Sequence, residues 1–546
     1  MYVTSVPDNA AFDYIIVGSG SAGCALANRL SADGRHQVLL LEAGGRDTHY
    51  KLHIPALVAQ VLNDPRWIWP YLTEPQTHLN GAQRKWPRGR VVGGCSSING
   101  NLFVRGDPLE YDKWRDRLGC SGWGWDDLLP YFKRLEDFPE GDPATRGRGG
   151  PIHCTRLDRF DALAEAFLGA CGEAGYPVVE DYNDGRYEGA FYLQYTTRRG
   201  LRSSASVGYL KPVRNRANLT ILTRATARRV LLEGKHATGV EVRVGEAIQR
   251  FKARREVVLA AGPLASPQLL ELSGIGDATL LGRHGIPVVE HRPAVGENLR
   301  DHPYVRLSFE CAQPVTINDV LRNPLRRLRE GLRFIVKRQG ILTISSSTAQ
   351  MNYRSGPQAT QAELVLRLMP LSGKDRYNKD ARYGLDPFSG FSFGVAVLQP
   401  HSTGSVHIRS AEPCQPACMD PRYFSDDADA RLFLEGVRTA RRVVRMPALA
   451  PYFVREVRPG PEAADDAAVL DYMRNTAQTA WHMVGTCRMG GDADSVVDPQ
   501  LRVRGIGGLR VVDSSVCPTI PASNTNIAAI AVGEKGADLM LATARG

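Results

Sequence analysis

The chain has no stretch of roughly eighteen apolar residues, so no membrane-crossing helix is expected. Its first twelve residues, "MYVTSVPDNAAF", lack the basic start and apolar centre of a secretion signal, and a cytoplasmic location is the resulting expectation. Cysteine is present but unpatterned. The ten positions, Cys24, Cys95, Cys120, Cys154, Cys171, Cys311, Cys414, Cys418, Cys487 and Cys517, form no disulfide framework, and reduced thiols are expected. Cys414 and Cys418, in "CQPAC", have no second pair or nearby histidine to complete a zinc site, so no metal is expected. Low-complexity tracts and internal repeats are also missing, which argues against disorder and solenoids.

A net charge of +10 raises the question of nucleic acid. The basic residues are spread along the chain without a recognition motif, and nucleic acid is set aside. One local concentration remains, "LRNPLRRLREGLRFIVKRQG" at 321–340. Leu325, Leu328, Leu332, Ile335 and Val336 fall on one helical face, rimmed by Arg326, Arg327, Arg329, Arg333, Lys337 and Arg338. Two readings stand: a solvated surface helix, or a weak contact with a membrane surface, which would make the protein peripheral to the inner membrane face.

The length of 546 residues suggests two to four domains or fewer large ones, and 43% hydrophobic with 23% charged residues fits a soluble globular protein. Residues 12–45, "FDYIIVGSGSAGCALANRLSADGRHQVLLLEAGG", read as strand, tight turn, helix and second strand. Gly18, Gly20 and Gly23 give the GxGxxG spacing: the first turns the chain, the second admits a pyrophosphate, the third lets helix and strand approach. Ser21 and Ala22 open the helix, whose free N–H groups favour an anion. Glu42, 19 residues after Gly23 and followed by Ala43, can accept from ribose hydroxyls. These features point to a dinucleotide, with FAD and NAD both open.

Two later segments, 255–276 and 508–540, add buried strands and helices of the same kind, and no second fingerprint occurs. One discontinuous nucleotide domain holding a flavin fits best. The fold class expected is α/β: a discontinuous Rossmann-like FAD-binding domain of the glutathione-reductase type, with an inserted α+β substrate domain containing an antiparallel sheet. The boundaries drawn are 1–155, 223–300 and 479–546 for the FAD domain and 156–222 and 301–478 for the insertions. "LVLRLMP" and "FSFGVAVLQP" suggest the inserted sheet. Trp69, Tyr71 and "FSGFSF" either line its pocket or form core.

Four segments carry a resemblance to the glucose–methanol–choline family of flavin oxidoreductases: the fingerprint, "RGRVVGGCSSINGNLFVRG" at 88–106, "GPLASPQLLELSGIG" at 262–276, and "WHMVGTCRMG" with "VVDSSVCPTIPASNTNIAAIAVGEKGADLM". The choline dehydrogenase and alcohol dehydrogenase branch is the nearer likeness. The resemblance implies that Gly93, Gly94, Asn99, Gly100 and Leu102 wrap FAD, that Ala227 meets the adenine, that Asp513 sits near the ribityl or phosphate region, and that Asn526 and Ile527 also approach the cofactor. Ile98 stands where some relatives attach FAD through histidine, so non-covalent FAD is expected.

By the same resemblance His482 is the active-site base and Asn526 its partner. The chemistry suits them. A histidine near its reference pKa can take an alcohol proton, and an amide can donate to the developing alkoxide. The activity implied is oxidation of a primary alcohol to the aldehyde, with hydride passing to flavin N5 and electrons to a quinone, a dye or oxygen. Choline dehydrogenase, an oxygen-using oxidase and an FAD-containing lyase are the alternatives. Cys487 is read as a packed thiol, and His302, in "VGENLRDHPY", as structural.

Overall fold

The computed structural model describes residues 2–157, 161–374 and 384–544. The extreme ends of the first and last expected segments lie outside them.

Two sheets organise the chain. In the first, parallel strands run in the order Tyr2–Val3, Leu219–Thr223, Val38–Glu42, Ala11–Val17 and Ala247–Leu259, and the antiparallel pair His236–Val244 and Ala225–Glu233 completes the edge. Leu509–Val511 pairs in parallel with the far end of Ala247–Leu259. Val38–Glu42 is buried at every position, as expected of a parallel strand covered on both faces. Helix Ser21–Leu30 follows the first turn directly. Gly18 there has φ +106°, and a Cβ on Gly23 would lie 1.9 Å from the Gly18 carbonyl oxygen. No other residue fits either position without moving backbone.

The second sheet is antiparallel, in the order Phe453–Arg458, Pro303–Cys311, Gly390–Val397, Leu364–Met369, Ala349–Tyr353 and Gly189–Tyr192, with Gln478–Thr479 beside Pro303–Cys311. Its aromatic core contains Phe309, Phe391 and Phe393, whose ring centroids lie 5.2–5.7 Å apart. The "FSGFSF" segment therefore contributes two of its phenylalanines to the core, whereas Trp69 and Tyr71 line the main cavity.

One boundary needs correcting. Leu219–Thr223 pairs with Val38–Glu42, so the division at 222/223 cuts a strand of the first sheet. The cause is non-local: "LTILT" carries no fingerprint, and only its neighbour assigns it to a sheet.

The basic segment forms two helices, Ile317–Arg322 and Pro324–Lys337, separated by Asn323, whose side chain accepts from the backbone N–H groups of Leu325 and Arg326. Its apolar stripe points outward. Leu325, Leu328, Leu332, Ile335 and Val336 are 76, 60, 53, 68 and 76% exposed, and Phe334 alone on this helix is buried.

Candidate active site

A cavity of about 830 Å³ opens where the parallel strands end, the edge at which open α/β sheets bind ligands. Of the expected cofactor residues, Gly18, Gly20, Ser21, Ala22, Glu42, Ala43, Gly94, Asn99, Gly100, Leu102, Ala227, Asp513 and Asn526 line it, as does Ile98. Gly23, Gly93 and Ile527 lie behind this wall: Gly23 packs helix on strand, Gly93 donates its N–H to the Ser19 carbonyl at 2.8 Å, and Ile527 is core.

The residues present fit FAD. A Cβ on Gly20 would meet only the Ala260 carbonyl oxygen, at 3.9 Å, and one on Gly262 would meet nothing within 4 Å. Both glycines therefore leave room for a ligand beside the open helix N-terminus. Glu42 accepts from the Ser19 hydroxyl at 2.6 Å and the Gly44 N–H at 2.8 Å, which fix its carboxylate at the cavity wall. Burial raises its carboxyl, and those bonds oppose the shift. Asp513 accepts from the Gly262 N–H at 2.8 Å and the Ser266 hydroxyl at 2.6 Å. Arg202, which sequence reasoning missed, is buried behind the glycine loop. It donates to the Ser96 carbonyl at 3.2 Å and to Asn99 Oδ1 at 2.7 Å, so it holds the loop in shape.

At the other end of the cavity stands His482. Its partner is Asn524, not Asn526: Asn524 Nδ2 lies 2.7 Å from His482 Nε2, while Asn526 Oδ1 accepts from the Ser21 hydroxyl at 2.7 Å. Asn526 opens the last helix and so faces the fingerprint turn, and Asn524 precedes it on the loop. The two-residue offset separates the roles.

His302, expected to be structural, lies directly against His482. Its Nε2 lies 2.9 Å from the Leu398 carbonyl oxygen and its Nδ1 lies 2.8 Å from His482 Nδ1. A carbonyl only accepts, so Nε2 of His302 carries the proton and its Nδ1, in the neutral ring, offers a lone pair. His482 must therefore donate from Nδ1, which leaves its Nε2 bare towards Asn524. Arg367 Nη2 donates to Asn524 Oδ1 at 3.4 Å, turning the amide nitrogen towards His482. This chain of donors and acceptors fixes one tautomer.

Burial pushes His302 down to about 4. It also pushes His482 well below the usual imidazole value, with His302, Arg367 and Arg88 acting in the same direction. Both rings are neutral at ordinary pH. Backbone geometry adds to the precision. Asp301 accepts from the His482 N–H at 2.7 Å and from the Tyr423 and Thr479 hydroxyls. Trp481 and Ala522, one and two residues before the pair, have φ of +61° and +54°, a region sparsely populated by such residues and often met at functional sites. Cys487 is a buried free thiol in the core. Among the described residues no cluster of histidine, cysteine, aspartate or glutamate is arranged to hold a metal ion.

A nucleotide cradle facing a neutral, tautomer-fixed histidine defines a class, and the comparisons agree with it. Residues 12–304 and 400–533 match the two family models described as GMC oxidoreductase. The chain belongs to this family of FAD-dependent oxidoreductases acting on CH–OH groups. Among particular proteins, it is 38% identical to an oxygen-dependent choline dehydrogenase of Photobacterium profundum, over 98% of this chain and 93% of that one. A second protein of that name, from Brucella anthropi, is 39% identical over 97% and 95%. Among solved structures, pyridoxine 4-oxidase from Mesorbium loti superposes with a TM-score of 0.87 at 32% identity, covering 96% of this chain and 98% of its own. A formate oxidase variant from Aspergillus oryzae superposes at 0.91 with 27% identity, over 99% and 100%.

Proposed function

We propose that the protein oxidises a primary alcohol to the aldehyde, with His482 as proton acceptor and Asn524 as its partner. The first sheet with its flanking helices would form the FAD domain, and the antiparallel sheet would close the substrate side. The observation that carries this reading is the His482–Asn524 pair on the cavity wall, with the amide of Asn524 2.7 Å from an Nε2 that carries no proton.

The lone pair of Nε2 is occupied by the Asn524 amide at 2.7 Å. An incoming hydroxyl takes that place and donates to Nε2. The displaced amide N–H is then within reach of the alcohol oxygen and stabilises the charge that develops there. The depressed basicity of His482 keeps it unprotonated and ready before substrate arrives. Bound FAD supplies the hydride acceptor. Its binding is proposed to be non-covalent, because Ile98, lining the cavity, offers no nucleophile; the formate oxidase relative is described in terms of FAD modification.

Oxygen is the electron acceptor that the relatives' names support. A quinone or dye is the one that the exposed basic helix supports, through a cytoplasmic protein touching the inner membrane face. Hydrogen peroxide formed per alcohol consumed separates them.

In the test, His482→Ala should keep dissociable FAD and lose about 10²–10⁴ of the anaerobic flavin-reduction rate, the usual range for a positioned base. In the unaltered enzyme the rate should stay level down to pH values below the ordinary imidazole range. Near-normal reduction in the variant would remove His482 from the mechanism. Flavin that no alcohol bleaches would favour a lyase.

A further inference from the structure

We propose that the catalytic end of the cavity selects alcohols carrying a carboxylate and rejects those carrying a quaternary ammonium group. This inference rests on the alcohol-oxidation reading and specifies its substrate.

The charged groups that line the cavity beside His482 are of one sign. Arg88 and Arg367 both line the cavity. Arg88 Nη1 donates to the Trp481 carbonyl at 3.2 Å and lies 3.4 Å from Met483 Sδ, the residues on either side of His482. Arg367 donates from Nε to Gln350 Oε1 at 2.7 Å and from Nη2 to Asn524 Oδ1 at 3.4 Å. Two guanidinium groups are thus anchored on the immediate neighbours of the proton acceptor, Arg88 from the short strand Lys85–Gly89 and Arg367 from Leu364–Met369 of the antiparallel sheet. Neither forms an ion pair among the described residues, and Nη2 of Arg88 and Nη1 of Arg367 have no hydrogen-bond acceptor there. Those donors are left for a ligand, and a guanidinium suits a carboxylate.

No acidic group offsets them at this end. The lining carboxylates are Glu42 and Asp513, tied into the cofactor cradle, and Glu74, paired with Arg409. Asp301 is near in space but does not line the cavity: it is buried and accepts from the Tyr423 and Thr479 hydroxyls and the His482 N–H. An aromatic cage for a cation is also missing its open face. Trp69 and Tyr71 stand parallel at 6.0 Å, the natural candidates for such a cage. The guanidinium of Arg90 already covers Trp69, 4.5 Å from the ring centroid. A second cation brought to that ring would face the first.

The experiment uses the FAD-loaded enzyme and three alcohols of similar shape: choline, its neutral isostere with tert-butyl in place of trimethylammonium, and hydroxybutanoate. Anaerobic flavin reduction should be fastest with hydroxybutanoate, and the neutral isostere should exceed choline by about tenfold or more, the scale of one partly screened charge interaction. Separately, butanoate should perturb the flavin absorbance and bind more tightly than tetramethylammonium. Arg88→Gln and Arg367→Gln, with flavin content checking their fold, should each narrow both preferences. Choline matching or exceeding its neutral isostere, or tetramethylammonium binding as tightly as butanoate, would overturn the inference. If no alcohol reduces the flavin while butanoate binds through the arginines, the alcohol-oxidation reading fails and the charge preference stands.

Discussion

At the loop leading into helix Asn526–Thr543 the chain carries asparagine twice in three residues, and the two side chains serve different neighbours. Asn524 holds the lone pair of His482, and Asn526 holds Ser21 at the fingerprint turn. Asn524→Ala should slow flavin reduction by about 10–10³, because one donor to the developing alkoxide is lost while the base remains. Asn526→Ala should instead weaken FAD retention and spare the reduction rate of the loaded fraction. Stopped-flow reduction and flavin titration of the two variants check this; interchanged phenotypes would reverse the assignment. His482 itself was legible in the sequence from its motif. Which asparagine meets it was not, since a two-residue choice depends on where the helix begins. His302 was hidden for another reason. It lies 180 residues before His482, and nothing local in "RDHPY" says that its ring donates to the carbonyl of Leu398, just past the strand Gly390–Val397.

Among the elements, helix Pro324–Lys337 is the one whose sequence pattern and environment disagree. An apolar stripe on a surface helix normally faces the core, yet here five large aliphatic side chains are more than half exposed and arginines surround them. Self-association through this face would bring two cationic rims together, whereas an anionic lipid surface complements it. Anionic vesicles should retain the protein at low salt and release it near 0.15 M, where exposed charges are screened beyond about 8 Å. Leu328→Glu with Ile335→Glu should abolish retention without unfolding, both sites being exposed; retention unchanged by this double substitution would sink the contact. The amphipathic pattern could be read from the sequence, but not its outward direction, which depends on what the rest of the chain leaves uncovered. The fingerprint elements were legible for the opposite reason: turn, helix start and acidic strand end lie within 31 residues and each has a local cause. Leu219–Thr223 has none, and its sheet is decided by Val38–Glu42.

Across the molecule, protonation of the two site histidines opposes folding. Both have folded-state values below the unfolded one, His302 at about 4 and His482 well below the usual value. Their contribution is present above the unfolded value near 6.5 and is lost as pH falls towards the folded values. For His302 alone, a drop to about 4 corresponds to about 3 kcal/mol at about 1.4 kcal/mol per unit. His407 acts oppositely, raised to about 9 despite burial by Glu271 and Glu297. Its stabilisation is full below about 6.5 and fades as pH rises through 9. Denaturant midpoints should therefore fall between pH 6.5 and 4, and again towards pH 9; a midpoint unchanged on the acid side would show that the histidines are not held neutral.

The bond between Ser21 and Asn526 joins residues 505 positions apart, and this sets an order of events during synthesis. At about 5–20 residues per second, the fingerprint leaves the ribosome roughly 25–100 s before the residue that closes its turn. Well within that interval every strand of the first sheet except Leu509–Val511 has been made, and what the nascent chain still lacks is that last strand and the helix that begins at Asn526. The turn is closed only once Asn526 has been made, and a ligand that binds the closed state better than the open one draws the chain towards it, so added FAD should raise the yield of refolded protein.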